Sequence, residues 1–498
     1  MQRWLALLVV VLLMTPLQPV WAAPPDYCGG VNNEYEYQEV VFLSGEPVLF
    51  KGSFTSSEKI SDVKGTVSYK FDLKPADPAL KGSLDRRVTY ESAYTNFSPQ
   101  GQTTGATGIK SYRETVVLGE DRFTLEDYQF SRSDVVDNRP AADFFSGTIA
   151  ARKVYKLNKD EGTVIVDISG GAVGYSNFWG KTETQILDYN LQSELLPSPG
   201  DEEKRGGFSW AGTVRVIASD SLRKSLDYSP NEVSLSSFPG GHMTVEKREM
   251  VSSCQYDLPR MKDGVPREYQ RESGEIDLHQ AMLPNIERLI LPKFRDLGGH
   301  WAEEDIKKLY SLNVFQGTSP FFLPDAPMTR MDFTRAVMRS CNISPEQPQK
   351  TGLVRTRKAA SEASLVKDVP SSNPDYQYVK EAINRGLVQG VGGYFLPDSS
   401  LTRAQAVTIL VRGLGFEYNA PAPGFFTQFR DDAEIPAWAK DSVYMARQIG
   451  LLAGDSSNRV HPNQVMTRAE ASAMLIRFLS FLERDLQQDY RENIVLYK

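Results

Sequence analysis

Three arginines in the last third of this 498-residue chain share one short pattern. Arg330, Arg403 and Arg468 each follow a threonine that an apolar residue precedes, and each opens a run with helical apolar spacing. A threonine there suits a helix N-cap. The residues three places after the threonines are Asp332, Gln405 and Glu470. An acid or amide at that position predicts a capping box, most plainly in the third copy.

The arginines are poor choices for the first helical position. The helix dipole disfavours a cation there by a few tenths to ~1 kcal/mol. Three recurrences imply a compensating anion. One candidate is internal, namely the aspartate that opens each repeat: Asp296, Asp368 or Asp431. The other is an external carboxylate or phosphate, because guanidinium groups and helix N-termini both favour such groups. The residues alone leave both alternatives open.

Each arginine belongs to a longer repeat with a fixed order of residues. An aspartate comes first, then an aromatic residue, a helical segment, a glycine, a proline turn and the Thr-Arg pair. The second helix of each repeat carries a matching apolar pair: Ala336/Val337, Ile409/Leu410 and Met474/Leu475. We therefore predict two helices per repeat. One such unit is too small to bury its own apolar face, so the three should pack together.

This order of residues resembles the S-layer homology domain over residues 294–482. The resemblance implies a pseudo-threefold helical bundle that binds anionic, often pyruvylated, secondary cell-wall polysaccharide non-covalently in grooves between repeats. Arg330, Arg403 and Arg468 would face the acidic group. The residues that would shape or contact the grooves are Asp296, Asp368, Asp431, Trp301, Trp438, Gly317, Gly390 and Gly454.

The repeats also depart from the family pattern. Asp332 and Gln405 replace a glutamate, and Tyr378 stands where the other repeats have tryptophan. Val314-Phe315 replaces the usual Gly-Ile or Gly-Leu, and Val460-His461 lacks the aromatic residue before the proline. Not every groove need therefore bind.

The N-terminal half alternates apolar and polar residues in short runs, the period of a half-buried strand. One hairpin joins residues 115–118 to residues 123–130, where a shift of apolar parity between Leu125 and Tyr128 predicts a bulge. Polar-out alternation with short turns predicts an all-β antiparallel sandwich or barrel-like domain. The fold class is thus multidomain, with the β domain followed by the all-α bundle of repeats.

The β region offers little recognisable chemistry. His242 and His279 do not stand at metal-ligand spacing, and we expect no metal site and no cofactor. A glycosidase-type pair of carboxylates stays open, because acidic residues are plentiful and none is marked out. Tyr175, Phe178, Trp179 and Trp210 could form a sugar-stacking face, but core packing is the better prediction.

The N-terminal 22 residues read as a secretory signal. Arg3 supplies the positive charge, residues 5–14 the apolar segment and Val20-Trp21-Ala22 the cleavage site, so the mature chain should start near Ala23. Among three cysteines, Cys28 and Cys254 could form a bridge across the β region; buried free thiols are the alternative. The net charge of −7 gives no support for a nucleic-acid partner, and we expect no membrane span in the mature chain.

We predict the following division: signal peptide 1–22, β-rich domain 23–258, linker with a short helix 259–292, repeat one 293–343, connector 344–365, repeat two 366–418, connector 419–428, repeat three 429–482 and tail 483–498. The predicted function is a non-enzymatic, exported cell-surface protein of the cell wall or S-layer. Its partners would be the wall polysaccharide or a peptidoglycan-linked glycan, with other surface-layer proteins as further candidates. The alternative is an anchored polysaccharide-active enzyme or carbohydrate-binding protein.

Overall fold

The computed structural model describes residues 29–61, 63–97, 101–196, 207–229, 241–262, 264–343, 345 and 364–485. The predicted signal peptide, Cys28, nearly all of the connector 344–365 and the end of the tail lie outside these residues. Cys254 and Cys341 are buried free thiols, and the bridge between Cys28 and Cys254 stays a prediction.

Within the described residues, fourteen strands form one antiparallel sheet in which β1 to β13 follow one another in chain order and β14 pairs with β12. The strands are β1 (Val31–Asn32), β2 (Tyr37–Val41), β3 (Val48–Ile60), β4 (Lys64–Pro75), β5 (Gly82–Phe97), β6 (Gln102–Leu118), β7 (Asp121–Asn138), β8 (Ala142–Leu157), β9 (Gly162–Asn177), β10 (Gly180–Leu195), β11 (Phe208–Ser229), β12 (Gly241–Lys262), β13 (Val265–Ala281) and β14 (Asn285–Arg288). The predicted antiparallel β class is confirmed.

The sheet is a half-barrel in which the first and the last strand of the order come close together without pairing. Asn33, after β1, donates a hydrogen bond from Nδ2 to Oε1 of Gln280 in β13 at 2.6 Å. All five residues of β2 are buried, since this strand lies in the curve of the sheet. The concave side holds one continuous apolar core that includes Tyr37, Phe71 and Leu187.

The predicted bulge is present in β7, where the pairing with β8 shifts register between Leu125 and Asp127. The strands are longer than the alternating runs indicated. In β3 the residues after Thr55 are mostly exposed, so the strand continues beyond the core where apolar alternation no longer marks it. Hydrophobic periodicity reports a buried face and not the full length of a strand.

The short helix predicted within the linker 259–292, over residues 279–291, is wrong. Most of that segment forms β13 and β14 instead. Ile276 and Leu278 alternate with polar residues and pair with Cys254 and Ser252 of β12. Pro284 also lies inside the predicted helix, and an interior proline removes a backbone donor and clashes with the preceding turn.

The described part of the C-terminal region contains six α-helices, two per repeat, as predicted. They are α1 (Glu303–Ser311), α2 (Arg330–Ser340), α3 (Tyr376–Asn384), α4 (Arg403–Leu414), α5 (Ala437–Gln448) and α6 (Arg468–Ser480). The matching apolar pairs of α2, α4 and α6 are buried in one shared core. None of these helices is long and apolar enough to cross a membrane.

The sheet packs directly on the helical region. Trp179, in the turn between β9 and β10, is 3% exposed and belongs to the core of the repeats. Two hydrogen bonds support this packing: the Ala141 backbone N–H donates to Gly413 O at 2.9 Å, and the Asn177 side-chain Nδ2 donates to Leu482 O at 3.0 Å. Tyr175 and Trp210 are also buried, so core packing of these aromatics is confirmed.

Candidate functional site

The three threonines cap their helices as predicted. Thr329, Thr402 and Thr467 each accept a hydrogen bond on the side-chain oxygen from the backbone N–H three residues on. The reciprocal bond that completes a capping box is present for Gln405 and Glu470. This local chemistry fixes the start of each helix and therefore places one arginine at each start.

The apolar residues before these threonines form a closed ring at the centre of the three repeats. Met328 N–H donates to Met466 O, Met466 N–H to Leu401 O, and Leu401 N–H to Met328 O, at 2.8–2.9 Å. Each bond links two different repeats. The pseudo-threefold arrangement thus rests on main-chain bonds at the repeated motif itself.

The exposed N–H groups expected at these helix starts are already occupied. Arg330 N–H donates to Ser399 O at 2.9 Å and Met331 N–H to Pro397 O at 3.0 Å, both in the proline turn of the next repeat. The same pair of bonds recurs at Arg403 and at Arg468. The helix N-termini therefore do not offer free donors to an anion, and the guanidinium groups are what remains.

The repeat aspartates hold the proline turns. Asp296 accepts backbone N–H bonds from Phe322 and Leu323 at 3.0 and 2.7 Å, and Leu323 has a left-handed φ of 58°. Asp368 and Asp431 make the corresponding bonds in the second and third repeats. A side-chain oxygen pair is needed there because the strained turn presents two adjacent donors.

These aspartates are not ion-paired with the arginines within 4.0 Å in the described structure. Burial alone would raise the pKa values of Asp296 and Asp368. The backbone donors outweigh burial, with help from Arg468 and Arg330 respectively, and hold both pKa values below the ordinary range. The internal anion expected at these positions thus acts on the arginines only at longer range.

Each arginine reaches into the next repeat around the ring. The Arg468 guanidinium lies 4.5 Å from the centre of the Phe322 ring and 3.7 Å from Oδ2 of Asp332. Arg403 donates to Oε1 of Glu470 at 2.9 Å, with Val460 where the aromatic residue would be. The acid three places after the threonine is therefore the partner in both cases.

Arg330 differs because the corresponding residue in the next repeat is Gln405. Its guanidinium donates to Gln389 O at 2.8 Å and lies 5.2 Å from the centre of the Phe395 ring. No carboxylate lies within 4.0 Å of it in the described structure. Arg330 is only 9% exposed, and burial lowers its pKa. The three arginines share one feature, which is a buried Nε without a hydrogen-bond partner.

A cavity of about 160 Å³ opens beside Arg468, between the third and the first repeat. Two further arginines of α2 line it, Arg335 and Arg339, together with Tyr310 and Asp332. Arg335 pairs with Asp375 at 3.0 Å, and Arg339 donates to the Tyr378 hydroxyl at 3.3 Å. Three guanidinium groups thus converge on one groove with one carboxylate in its lining.

Sequence reasoning missed Arg335 and Arg339. A signal for the second was present, because an arginine recurs nine places after each motif arginine: Arg339, Arg412 and Arg477. Arg335 had no such signal, since Thr408 and Ala473 stand at the equivalent positions.

The predicted aromatic and glycine residues are in different environments, and none of them lines the cavity beside Arg468. Trp301 and Trp438 are 65% and 52% exposed, so their rings are available to solvent. A side chain at Gly454 would meet Asn458 at under 3.0 Å, which explains that glycine sterically. Gly317 has only the Tyr310 hydroxyl nearby, at 3.5 Å, and Gly390 lies against the backbone of Tyr394.

The described β region contains two clusters of buried charge, one around Arg86 and one in which Arg132 pairs with Asp134 at 2.7 Å and with Glu183 at 3.3 Å. Arg86 of β5 donates to both Glu39 and Glu114 at 2.9–3.0 Å, and Tyr155 donates to Glu114 at 3.1 Å. Burial would raise the pKa of Glu114, but Arg86 and Lys153 lower it to about 2. Glu39 and Glu114 are 0% and 3% exposed and fully engaged with cations.

Comparison with known proteins finds the S-layer homology domain at residues 293–334, 367–407 and 428–472. The chain is 28% identical over 189 residues to "Exoglucanase XynX" of Acetivibrio thermocellus, which covers 37% of this chain and 16% of that protein. It is 24% identical over 202 residues to "Surface-layer 125 kDa protein" of Lysinibacillus sphaericus, covering 40% and 16%. It is 35% identical over 114 residues to "Cell surface protein" of Thermoanaerobacter kivui, covering 22% and 14%.

The chain thus spans less than a fifth of the length of each of these relatives. The matched segments contain the opening aspartate and the Thr-Arg pair of all three repeats. They also coincide with the paired helices and the ring of main-chain bonds described above. The C-terminal region, residues 293–472, therefore consists of three S-layer homology domains.

Proposed function

We propose that the three domains anchor the chain by non-covalent binding of an anionic secondary cell-wall polysaccharide, pyruvylated as the family resemblance implies. S-layer homology domains indicate cell-wall anchoring and a cell-surface location. Acidic groups of the glycan would bind the guanidinium groups that lie between neighbouring repeats.

The groove between the third and first repeats carries this proposal. Arg468, Arg335 and Arg339 line a cavity of about 160 Å³, and Asp332 is the carboxylate among its lining residues. The Nε atoms of Arg468 and Arg335 are buried without a partner. A buried guanidinium N–H that makes no bond costs free energy, and a bound carboxylate or phosphate would recover it.

The other two grooves should contribute less. Arg403 is already paired with Glu470 at 2.9 Å, which a ligand would have to displace. Arg330 lacks a carboxylate but is nearly closed off from solvent. We therefore expect the three arginines to contribute unequally to ligand binding, with the largest contribution from Arg468.

Cosedimentation of the full chain with purified cell walls tests this proposal. Wall binding should be lost when the non-peptidoglycan polymer is removed, and Arg468→Ala should weaken it strongly. Arg468→Lys should also weaken it, because a lysine ammonium cannot replace a bidentate guanidinium. Arg477→Ala is the matched control, since Arg477 lies exposed on the same helix α6. Binding that survives polymer removal, or equal losses for Arg468→Ala and Arg477→Ala, would contradict the proposal.

The half-barrel is proposed as the interaction module that this anchor displays. The alternative is an anchored glycan-active enzyme, which the names of two relatives, an exoglucanase and an amylopullulanase, favour. The buried pairs of acids are held by cations: Glu39 and Glu114 by Arg86, and Asp134 and Glu183 by Arg132. An activity screen of the full chain on glycans decides between these alternatives: turnover that is lost on changing one acidic pair would establish the enzyme.

A further inference from the structure

Three basic side chains lie side by side on the outer face of the sheet. Lys70 of β4 is directly opposite Arg87 of β5, and Arg87 is directly opposite Arg113 of β6. All three are exposed, on the face opposite the apolar core. Like charges directly opposite one another destabilise a sheet. The row is therefore an unfavourable arrangement for the sheet alone.

Direct neighbours elsewhere in the sheet include pairs of opposite charge as well as other basic pairs, Lys51 with Lys74 and Arg223 with Lys247. Arg152 lies opposite Asp167 with 3.4 Å between the charged atoms, and Arg215 lies opposite Asp188 with 3.8 Å. In the basic row the ion pair is Arg87 with Asp85, at 4.0 Å and well exposed. Within the described ranges, Lys70 and Arg113 form no ion pair within 4.0 Å. An acidic pair, Asp72 opposite Asp85, lies two residues along on the same face, so the row has carboxylates beside it, of which Asp85 forms the ion pair with Arg87.

A row of hydroxyl groups runs beside the basic row. Its members face one another across β3 to β6 in the order Ser57, Ser68, Thr89 and Ser111. The Ser68 and Thr89 hydroxyls are 3.0 Å apart. Together the two rows line an open trough of about 390 Å³. Beyond the hydroxyls, Glu91 is held between Lys64 and Lys110, at 2.7 and 3.4 Å.

We propose that this trough is a second glycan-binding site, which takes an extended polysaccharide bearing carboxylate or phosphate groups. The basic row supplies charge complementarity, and the hydroxyl row supplies donors and acceptors suited to sugar hydroxyls. Of the large apolar and aromatic residues of the lining, Tyr69 and Val88 are buried, and Tyr112 is partly buried and packs against the core. The outer face of the trough therefore lacks the aromatic stacking surface typical of single-strand nucleic-acid sites and the apolar residues that enter membranes.

Fluorescence anisotropy of the full chain with labelled polygalacturonate, a carboxylate glycan, tests this site. The variant is Lys70→Gln/Arg87→Gln/Arg113→Gln. Its matched control, Arg152→Gln/Lys156→Gln/Arg215→Gln, removes the same charge from ion-paired positions elsewhere on the outer face. Dextran, double-stranded DNA and phosphatidylglycerol vesicles are the comparison ligands. Arg335→Ala/Arg468→Ala, alone and combined with the triple variant, separates this site from the repeat groove.

The trough variant should bind polygalacturonate about tenfold more weakly, as expected from losing three exposed ion pairs, and the control should change less than about twofold. The loss should persist in the Arg335→Ala/Arg468→Ala background, and it should shrink as salt rises from about 50 to 200 mM. The thermal midpoint should not fall, because repulsion is removed. Equal losses in variant and control would overturn the site, and tighter binding of DNA or vesicles than of polygalacturonate would overturn its assignment to a glycan.

Discussion

Arg86 of the half-barrel and the motif arginines of the repeats are buried in different surroundings. Arg86 is enclosed by two carboxylates, with hydrogen bonds of 2.9–3.0 Å to both. In the repeats, Arg330, Arg403 and Arg468 each keep a buried Nε without a partner. A fully paired guanidinium is part of the fold, because removing it leaves charges uncompensated. An incompletely paired one retains capacity for a ligand.

The largest expected effect comes from breaking the complete network. Arg86→Ala should lower the free energy of unfolding by about 3–5 kcal/mol, because Glu39 and Glu114 would remain buried without their common partner. Urea denaturation of the full chain measures this change. The neighbouring Arg87→Ala, on the exposed face, should stay within about 0.5 kcal/mol of the wild type. Similar losses for the two variants would contradict the contrast between paired core and open surface.

Acid should weaken the half-barrel through the same network. The pKa of Glu114 is lowered to about 2 in the folded state, so the unfolded chain takes up the proton first as pH falls. Stability contributed by this carboxylate is full above about pH 4.5 and is lost progressively toward pH 2, by roughly 3 kcal/mol. The free energy of unfolding, measured by denaturation between pH 6 and 2, should fall less steeply with falling pH in Glu114→Gln than in the wild type. An unchanged pH dependence in that variant would assign the acid sensitivity to other groups.

An incompletely paired arginine should affect binding more than stability. Arg468→Ala should reduce wall affinity by about tenfold or more, which is ~1.4 kcal/mol, while the unfolding free energy changes by less than about 1 kcal/mol. Cosedimentation titrations and urea denaturation on the same protein give the two values. A stability loss as large as that of Arg86→Ala would mean that Arg468 is a structural residue.

The smallest effect should come from completing a pair. Gln405→Glu supplies the carboxylate that Asp332 and Glu470 provide at the equivalent positions, and it keeps the capping interaction with Thr402. We expect a gain of about 0.2–1 kcal/mol in unfolding free energy from the new pair with Arg330. Thermal denaturation at low and high salt measures it, since the gain should shrink with salt. Gln192→Glu, the same change at an exposed position of β10, serves as the control.

The features that could be predicted from the sequence depend on residues close to one another along the chain. The helix starts followed from Thr329, Thr402 and Thr467, because a cap is satisfied within three residues. The bulge in β7 followed from a shift of parity within one strand. The helix expected around residues 279–291 failed because its apolar residues also fit a strand once β12 was available as a partner.

The rest depends on which residues the fold brings together. Glu39, Arg86 and Glu114 lie on three different strands, and only the register of the whole sheet makes them neighbours. The basic row likewise appears only when Lys70, Arg87 and Arg113 are aligned across strands. The repeat arginines were found from spacing, but their partners were not. Glu470 pairs with Arg403 and also completes its own capping box, whereas the Asp332 side chain pairs with Arg468 and makes no capping bond.

The ring formed by Met328, Leu401 and Met466 makes the anchor indivisible. Each of its three bonds joins a different pair of repeats, so deletion of any one repeat removes two of the three. During synthesis the ring can close only after Met466 has been made, and the first two repeats must wait for the third. When a wall-bound chain is pulled, force applied at one repeat is transmitted through the ring of hydrogen bonds to the other two. A shortened chain with two repeats would therefore be an open assembly and not a weaker version of the same anchor.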